Sequence, residues 1–393
     1  MTIKEYVLKE KEYLITLRRW FHAHPEPSLK EYETCKKIAE ELERYNIPYQ
    51  YISDTAIYAI IKGKKGPGKI VALRSDIDAL QMDDLKHEEY ASKNPGCCHA
   101  CGHDAHAATL LTAAKILKEK EEDFSGEIRL FFQPGEEIGA GARIFVNKGL
   151  MENVERIFGA HVSSAIDSGK ISLTPGPMNA SCDYFKIEVT GRGAHVSTPQ
   201  DGIDALYIAS QIVNNLQSIV SRNTAPNDTV IVGIGVLQAG TQYNIIAEHA
   251  TLEGTTRTFT PEMRDFTNQK VISIATQTAQ MYGATVNITF KDFAAPLVND
   301  EIAAKEAYAI AKDIIGKENI ITNQQKMLGA DDYADFLQKA KGVYAFVGTK
   351  NINNSNTSVA HHHGLFDIDE EALLASCNLY IDYALSILNK TEQ

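Results

Sequence analysis

The run Cys97-Cys98-His99-Ala100-Cys101-Gly102-His103-Asp104-Ala105-His106 sets three thiols, three imidazoles and a carboxylate within ten residues. Such a density does not serve packing, so the rest of the chain has to be organised around it. Cys and neutral His are the donors that borderline transition metals prefer. Cys101-x-His103 offers two of them, with Gly102 between them relaxing the backbone so that both turn to one point. This is half a metal site. A single Cys or His is more often a buried thiol or a surface imidazole, but the clustering tells against that here. A closed zinc finger would need a second Cys/His pair at short spacing, whereas residues 107–117 read as an apolar helix.

At 393 residues the chain suits two domains, on a prior of roughly 100–200 residues each. Its 44% hydrophobic and 23% charged composition is that of a soluble globular protein, and no apolar run approaches the ~20 residues that span a bilayer. The first five residues carry no apolar signal core, so a cytoplasmic protein is expected. Cysteines at 35, 97, 98, 101, 182 and 377 are too few and too unevenly placed for a disulfide scaffold, which fits a reducing compartment. With 39 basic against 51 acidic residues the net charge is −12, which argues against nucleic acid and anionic membranes as partners.

Periodicity predicts a helix over 2–21, with Leu14, Leu17 and Phe21 on one side, stopped by His22-Ala23-His24-Pro25. A second, over 29–45, carries the stripe Tyr32, Cys35, Ile38, Ala39 and Leu42. Strands are expected at 57–61 and 70–73, the latter running into Arg74-Ser75-Asp76-Ile77-Asp78. Then come a helix over 106–120, a buried strand over 127–133 ending at Pro134-Gly135-Glu136-Glu137, and a short strand over 156–160 delivering His161. Strands alternating with helices, each ending in a polar residue, indicate an α/β domain with a mixed sheet flanked by helices and a site at the strands' carboxyl ends. Between 183 and 293 the texture changes to strand (184–190), helix (203–221), strands (229–238 and 250–260), helix (261–282) and strand (285–292). That order is the split βαβ, ferredoxin-like α+β arrangement, here expected as a lid or dimerisation domain inserted between 1–182 and 294–393 of a catalytic domain. A strand over 342–347, a polar loop over 351–358, the triplet His361-His362-His363 and a helix over 369–388 close the chain.

Five positions thus supply metal-capable side chains: Cys101, His103, Glu137, His161 and one of His361–His363. One zinc wants three or four ligands, so the supply suggests two adjacent metals sharing a bridging donor. Adjacent side chains on extended backbone point apart, so one of Glu136 and Glu137 could bind metal while the other serves as general base. In the inserted domain, Gly191-Arg192-Gly193-Ala194-His195 presents one histidine and Gly254-Thr255-Thr256-Arg257 one arginine. Neither stretch precedes a helix as a nucleotide loop would, and no Gly-x-Ser-x-Gly elbow supports a serine hydrolase.

The ordered motifs His22-Ala23-His24-Pro25-Glu26, Arg74-Ser75-Asp76-Ile77-Asp78-Ala79-Leu80, His99 to His106, Gln133-Pro134-Gly135-Glu136-Glu137, Gly159-Ala160-His161, Gly191 to His195, Tyr243-Asn244-Ile245-Ile246 and Gly254 to Arg257 resemble the aminoacylase-like amidohydrolases. That family includes hippurate hydrolases, N-acetyldiaminopimelate deacetylases and auxin-conjugate hydrolases. The resemblance implies two divalent metal ions (Zn, Mn, Co or Ni) held by Cys101, His103, Glu137, His161 and His362, with Glu136 as the base. His195 and Asn244 would stabilise an oxyanion, Arg257 would hold a substrate carboxylate, and the assembly would be a homodimer or higher homo-oligomer. The implied reaction is hydrolysis of the amide of an N-acyl-L-amino acid. A dipeptidase or aminopeptidase of the same metal chemistry is the runner-up, and a metal-binding or thiol-redox protein built on Cys97, Cys98 and Cys101 is the rival of another class. The chain departs from the family at Gln81, Ala247 and Gly364, where proline is usual, so looser loops near the site are expected. The vicinal thiols Cys97 and Cys98, where Met commonly precedes His99, could bind metal or oxidise.

Overall fold

Thr2 opens the chain with a capping box: its hydroxyl accepts from the Glu5 N–H at 3.3 Å while the Glu5 carboxylate accepts from its own N–H at 2.8 Å. The helix expected over 2–21 is two helices, α1 (Ile3–Lys9) and α2 (Lys11–Ala23), which meet at Glu10. In α3 (Tyr32–Arg44) Cys35, Ile38, Ala39 and Leu42 are buried, but Tyr32, placed on the same stripe by spacing, sits in the first turn and is 54% exposed. Strand β1 (Tyr49–Ser53), absent from the sequence reading, pairs antiparallel with β2 (Ala56–Lys62). The chain continues through β3 (Ile70–Asp76), α4 (His103–Glu119), β4 (Glu127–Gln133), α5 (Gly141–Asn147), β5 (Val154–Asp167) and β6 (Ile171–Ser172). The expected strand 156–160 is thus much longer, and His161 lies inside it rather than beyond its end.

The computed structural model describes residues 1–390, and they fall into two units. One comprises 1–176, 298–325 and 331 onward; the other comprises 177–297 and 326–330. The seams lie a few residues outside 183 and 293, and Lys326–Ala330 clusters with the second unit because the Met327 N–H donates to the Met178 carbonyl at 2.8 Å.

In the second unit, β7 (Cys182–Thr190) alternates half-buried and buried residues, the signature of a sheet with one covered face. With α6 (Ala205–Ser218), β8 (Val230–Ala239), β9 (His249–Thr258), α7 (Pro261–Met281) and β10 (Thr285–Ala294) it forms a four-stranded antiparallel sheet in the order β10-β7-β9-β8. Phe185, Ile187 and Val189 of β7 bury against Ile208 and Ile212 of α6 and Val271 and Ala275 of α7.

In the first unit, α8 (Glu301–Ile315), β11 (Ile320–Ile321), α9 (Tyr333–Leu337), β12 (Gly342–Lys350) and α10 (Ala372–Leu388) complete an eight-stranded mixed sheet, order β1-β2-β4-β3-β5-β12-β6-β11. Its centre, β4-β3-β5-β12, is parallel. β12 is buried over nearly its whole length, as a parallel strand covered on both faces must be. Helix α4 is buried almost all round, from His103 to Leu117, and packs against α2, α10 and β3. Among the described residues no helix is long and apolar enough to cross a membrane.

Helix α4 starts three residues before the expected 106, because Gly102 caps it in a left-handed conformation at φ 89°. A Cβ there would lie 2.3 Å from Val162 Cγ2 on β5. Gly102→Ala combines an unfavourable φ with overpacking, and is expected to cost about 2–4 kcal/mol. Denaturant unfolding of both proteins in excess chelator, which removes any contribution from bound metal, measures it.

Candidate functional site

The parallel strands and α4 deliver their polar ends to one place in the first unit. Cys101 Sγ lies 3.5 Å from His161 Nε2, and Cys101, His103 and His161 form a group whose donor atoms are all within 4.8 Å of one another. Cys101, Glu137 and His362 form a second such group, and His103, Glu136 and Glu137 a third. Cys101, His103 and Glu137 each belong to two of the three groups, so the donors overlap in one cluster large enough to hold more than one cation. The structure therefore brings together Cys101, His103, Glu136, Glu137, His161 and His362.

Extended backbone was expected to aim the two glutamates apart, and it does not. Gly135, at φ 61°, starts a single 3₁₀ turn over Glu136–Ile138, which brings consecutive side chains closer in direction than the half-turn alternation of a strand. As a result Glu136 Oε2 and Glu137 Oε1 both lie 3.9 Å from His103 Nε2. Glu137 Oε2 also faces His362 Nε2 at 3.4 Å. Within the histidine triplet, the His361 ring accepts from the Ser164 N–H and packs on Phe366, and the His363 ring accepts from the Leu365 N–H. His362 is the member turned to Glu137. Its backbone is left-handed (φ 63°), and its N–H donates to the Ala100 carbonyl at 2.9 Å, tying its loop to the Cys101 loop.

Groups not assigned from the sequence hold these donors in place. His103 Nδ1 donates to Asp78, 2.9 Å from its carbonyl and 3.2 Å from its carboxylate, which leaves Nε2 buried and unpartnered. The other Asp78 carboxylate oxygen accepts from the Glu137 N–H at 3.1 Å and the Ser28 hydroxyl at 2.7 Å. His161 Nδ1 donates to the Val162 carbonyl at 2.6 Å. His106 resembles a donor in sequence but has both nitrogens in use: Nδ1 donates to Asp76 at 2.5 Å and Nε2 accepts from the Val162 N–H at 2.9 Å. The only signal for these roles was Asp76-x-Asp78 just past a strand end.

Acidic groups crowd the same site. Burial, with Asp331, Glu137, Asp332 and Asp78 nearby, holds the Glu136 carboxyl well above the usual carboxylate range. Burial together with Glu137 and Glu136 raises the Cys101 thiol in the same sense. Against the effect of burial, Asp76 and Asp78 push His103 up to about 10. Orphaned His103 Nε2 and Glu137 Oε1, a thiol and crowded carboxyl groups form a donor set that divalent cations fit.

His195, Asn244 and Arg257 lie in the second unit. His195 bridges to Ile245, and the Val196 N–H donates to the Asn244 carbonyl at 3.1 Å, so the first two are neighbours there, both exposed. Arg257 is a half-buried member of β9 opposite Ile231. The looser loops expected from the missing prolines are not what Gly364 shows. A Cβ there would sit 2.5 Å from the Asp83 carbonyl oxygen, so glycine permits a close approach.

A mixed sheet that gathers a thiol, imidazoles and paired carboxylates at its strand ends is the layout of a metal-dependent amidohydrolase. Residues 72–386 match Peptidase family M20/M25/M40, and the chain belongs to this family. It is 36% identical to thermostable carboxypeptidase 2 of Saccharolobus solfataricus, covering 99% of this chain and 98% of that one. It is 34% identical to N-acetyl-L-cysteine deacetylase of Bacillus subtilis, over 98% and 90% of the two chains. Its fold is similar to the crystal structure of the Bacillus subtilis YXEP protein, a dinuclear metal binding peptidase from the M20 family, with a TM-score of 0.82, 32% identity, and 98% and 99% coverage.

Because both ring nitrogens of His106 are engaged, its replacement acts on stability. His106→Ala leaves Asp76 Oδ1 and the Val162 N–H without these partners in the core, and is expected to cost about 3 kcal/mol. Equilibrium unfolding in urea with chelator present checks this. An unchanged midpoint would show that His106 is not a structural member of the site.

Proposed function

We propose that this hydrolase cleaves the amide of N-acyl-L-amino acids, giving a carboxylate and a free amino acid. Cys101, His103, Glu137, His161 and His362 are assigned as ligands of two divalent ions drawn from zinc, manganese, cobalt and nickel. When bound, such ions supply Lewis acidity toward the acyl carbonyl and make a water easier to deprotonate. Glu136 takes the proton as the water oxygen bonds to the acyl carbon. As the C–N bond breaks, the same carboxyl returns that proton to the leaving nitrogen. His195 and Asn244 are assigned to the developing oxyanion, and Arg257 to the substrate carboxylate, whose two oxygens a guanidinium fork matches. The second unit would then act as lid and dimerisation element of a homo-oligomer.

One observation carries the reading: two adjacent carboxylates face one orphaned imidazole nitrogen, yet only Glu137 also reaches His362. That asymmetry gives Glu137 a ligand's surroundings and leaves Glu136 for proton transfer. The N-acyl amino acid class is supported by the similarity to a carboxypeptidase and to an N-acetylcysteine deacetylase, names that share an amide whose nitrogen belongs to a free amino acid.

Glu136→Gln should retain metal while kcat falls by roughly 10²–10⁴, the span for losing a general base. Glu137→Gln should lose metal affinity and regain part of its activity in excess metal. Elemental analysis and rate against added metal separate the two; metal rescue of Glu136→Gln alone would invert the assignment. For Arg257, carboxamide analogues of the substrate should be cleaved far more slowly than free acids, and equal rates would remove carboxylate recognition. If peptides with a free N-terminus outpace N-acetyl amino acids, the enzyme is an aminopeptidase or dipeptidase instead.

A further inference from the structure

A second group of donors lies in the first unit and shares no residue with those assigned above: His22, Asp84 and Cys98, whose donor atoms are all within 4.8 Å of one another. The His22 side chain and Cys98 are wholly buried, and the Asp84 side chain is 3% exposed. His22 Nδ1 lies 2.6 Å from Asp104 Oδ2, a carboxylate also bound by Arg18 at 3.0 Å. That contact directs His22 Nε2, which has no hydrogen-bond partner, toward Asp84 Oδ2 at 3.4 Å. Asp84 Oδ2 accepts from the Ser92 N–H at 2.8 Å.

The 3.4 Å separation favours one of two occupants. An imidazolium donating to a carboxylate should close to about 2.7–2.9 Å. Two donors on a tetrahedral cation with bonds of about 2.0–2.1 Å are separated by about 3.3–3.4 Å. The thiol adds a donor of the right kind, since a Cys beside a His and an Asp is a preferred ligand of a borderline cation. Lys86 Nζ, 2.9 Å from Asp84 Oδ1 and 3.9 Å from Cys98 Sγ, offsets the charge that the thiolate would add. His99, 2% exposed, has both ring nitrogens unpartnered and its ring centroid 6.3 Å from that of His22.

We infer that His22 Nε2, Asp84 Oδ2 and Cys98 Sγ form a structural site for one zinc-like cation, separate from the hydrolytic centre. Binding converts the Cys98 thiol to a thiolate and releases its proton to solvent. The cation stitches α2 to the 84–98 segment that leads into α4, so its role is to hold that segment rather than to touch substrate.

Full-length protein is produced with zinc, freed of loose metal by gel filtration and analysed for metal, alongside Cys98→Ser and Cys98→Met. Each variant should lose about one equivalent per chain relative to the parent, whatever the parent's total, while retaining hydrolytic activity. Anomalous diffraction of the parent at the zinc edge should place a peak among His22, Asp84 and Cys98. That measurement decides the matter even if the variants fail to fold. Unchanged metal content in the variants, or no peak in zinc-loaded crystals, would overturn the proposal.

Discussion

Arg74 is a permanent charge, 1% exposed, in the middle of the parallel sheet, and much of the first unit is arranged to satisfy it. Its guanidinium donates to Gln133 at 2.8 Å, Asp76 at 2.6 Å, Tyr344 at 3.2 Å and Asp332 at 3.2 Å, tying β3 to β4, to β12 and to the turn before α9. A buried guanidinium cannot escape by losing its proton, so these partners are obligatory; removing one member of such a set costs on the order of 3–5 kcal/mol. The chain of consequence runs outward. Asp76, fixed by Arg74, fixes His106, and His106 takes the N–H of Val162, the residue after His161. The position of one site imidazole is thus referred back to a charge that no pH in the working range can alter.

Backbone conformation is the second constraint. Gly102, Gly135 and His362 all adopt left-handed φ values, 89°, 61° and 63°, and each precedes or carries a group that faces the site. Two are glycine, at little steric cost. The third is not, and at about 1–2 kcal/mol it is a strained residue whose N–H bond to Ala100 helps to offset the cost. Strain of this kind persists where the surroundings over-determine the conformation.

Side-chain chemistry was more legible in the sequence than geometry was. The clustering of Cys101, His103 and the paired glutamates is a matter of residue type, and the ordered motifs pointed to the amidohydrolase family to which the chain belongs. Strand 127–133 was readable because its apolar run ends at Pro134-Gly135. Other features were hidden because they depend on partners far along the chain. Glu10 breaks the first helix where its carboxylate meets Lys115 of α4, and β1 is a strand only because β2 lies beside it. The extension of β5 past residue 160 follows from pairing with β12, which matches Phe346 to His161. The common direction of Glu136 and Glu137 depended on one glycine φ, and no residue pattern announced that His22, Asp84 and Cys98 would meet.

The parallel pairing of β5 with β12 also bears on how the molecule comes into being. These neighbours are separated in the chain by the whole second unit, so their register can be set only after a long loop has closed, the slow step expected of non-local topology. During synthesis Cys101, His103, Glu136 and Glu137 emerge well before His362, whose loop follows β12 directly. A nascent chain would therefore present these groups without His362 until its last tenth arrives, so the ligand set proposed above would close only once the sheet is complete.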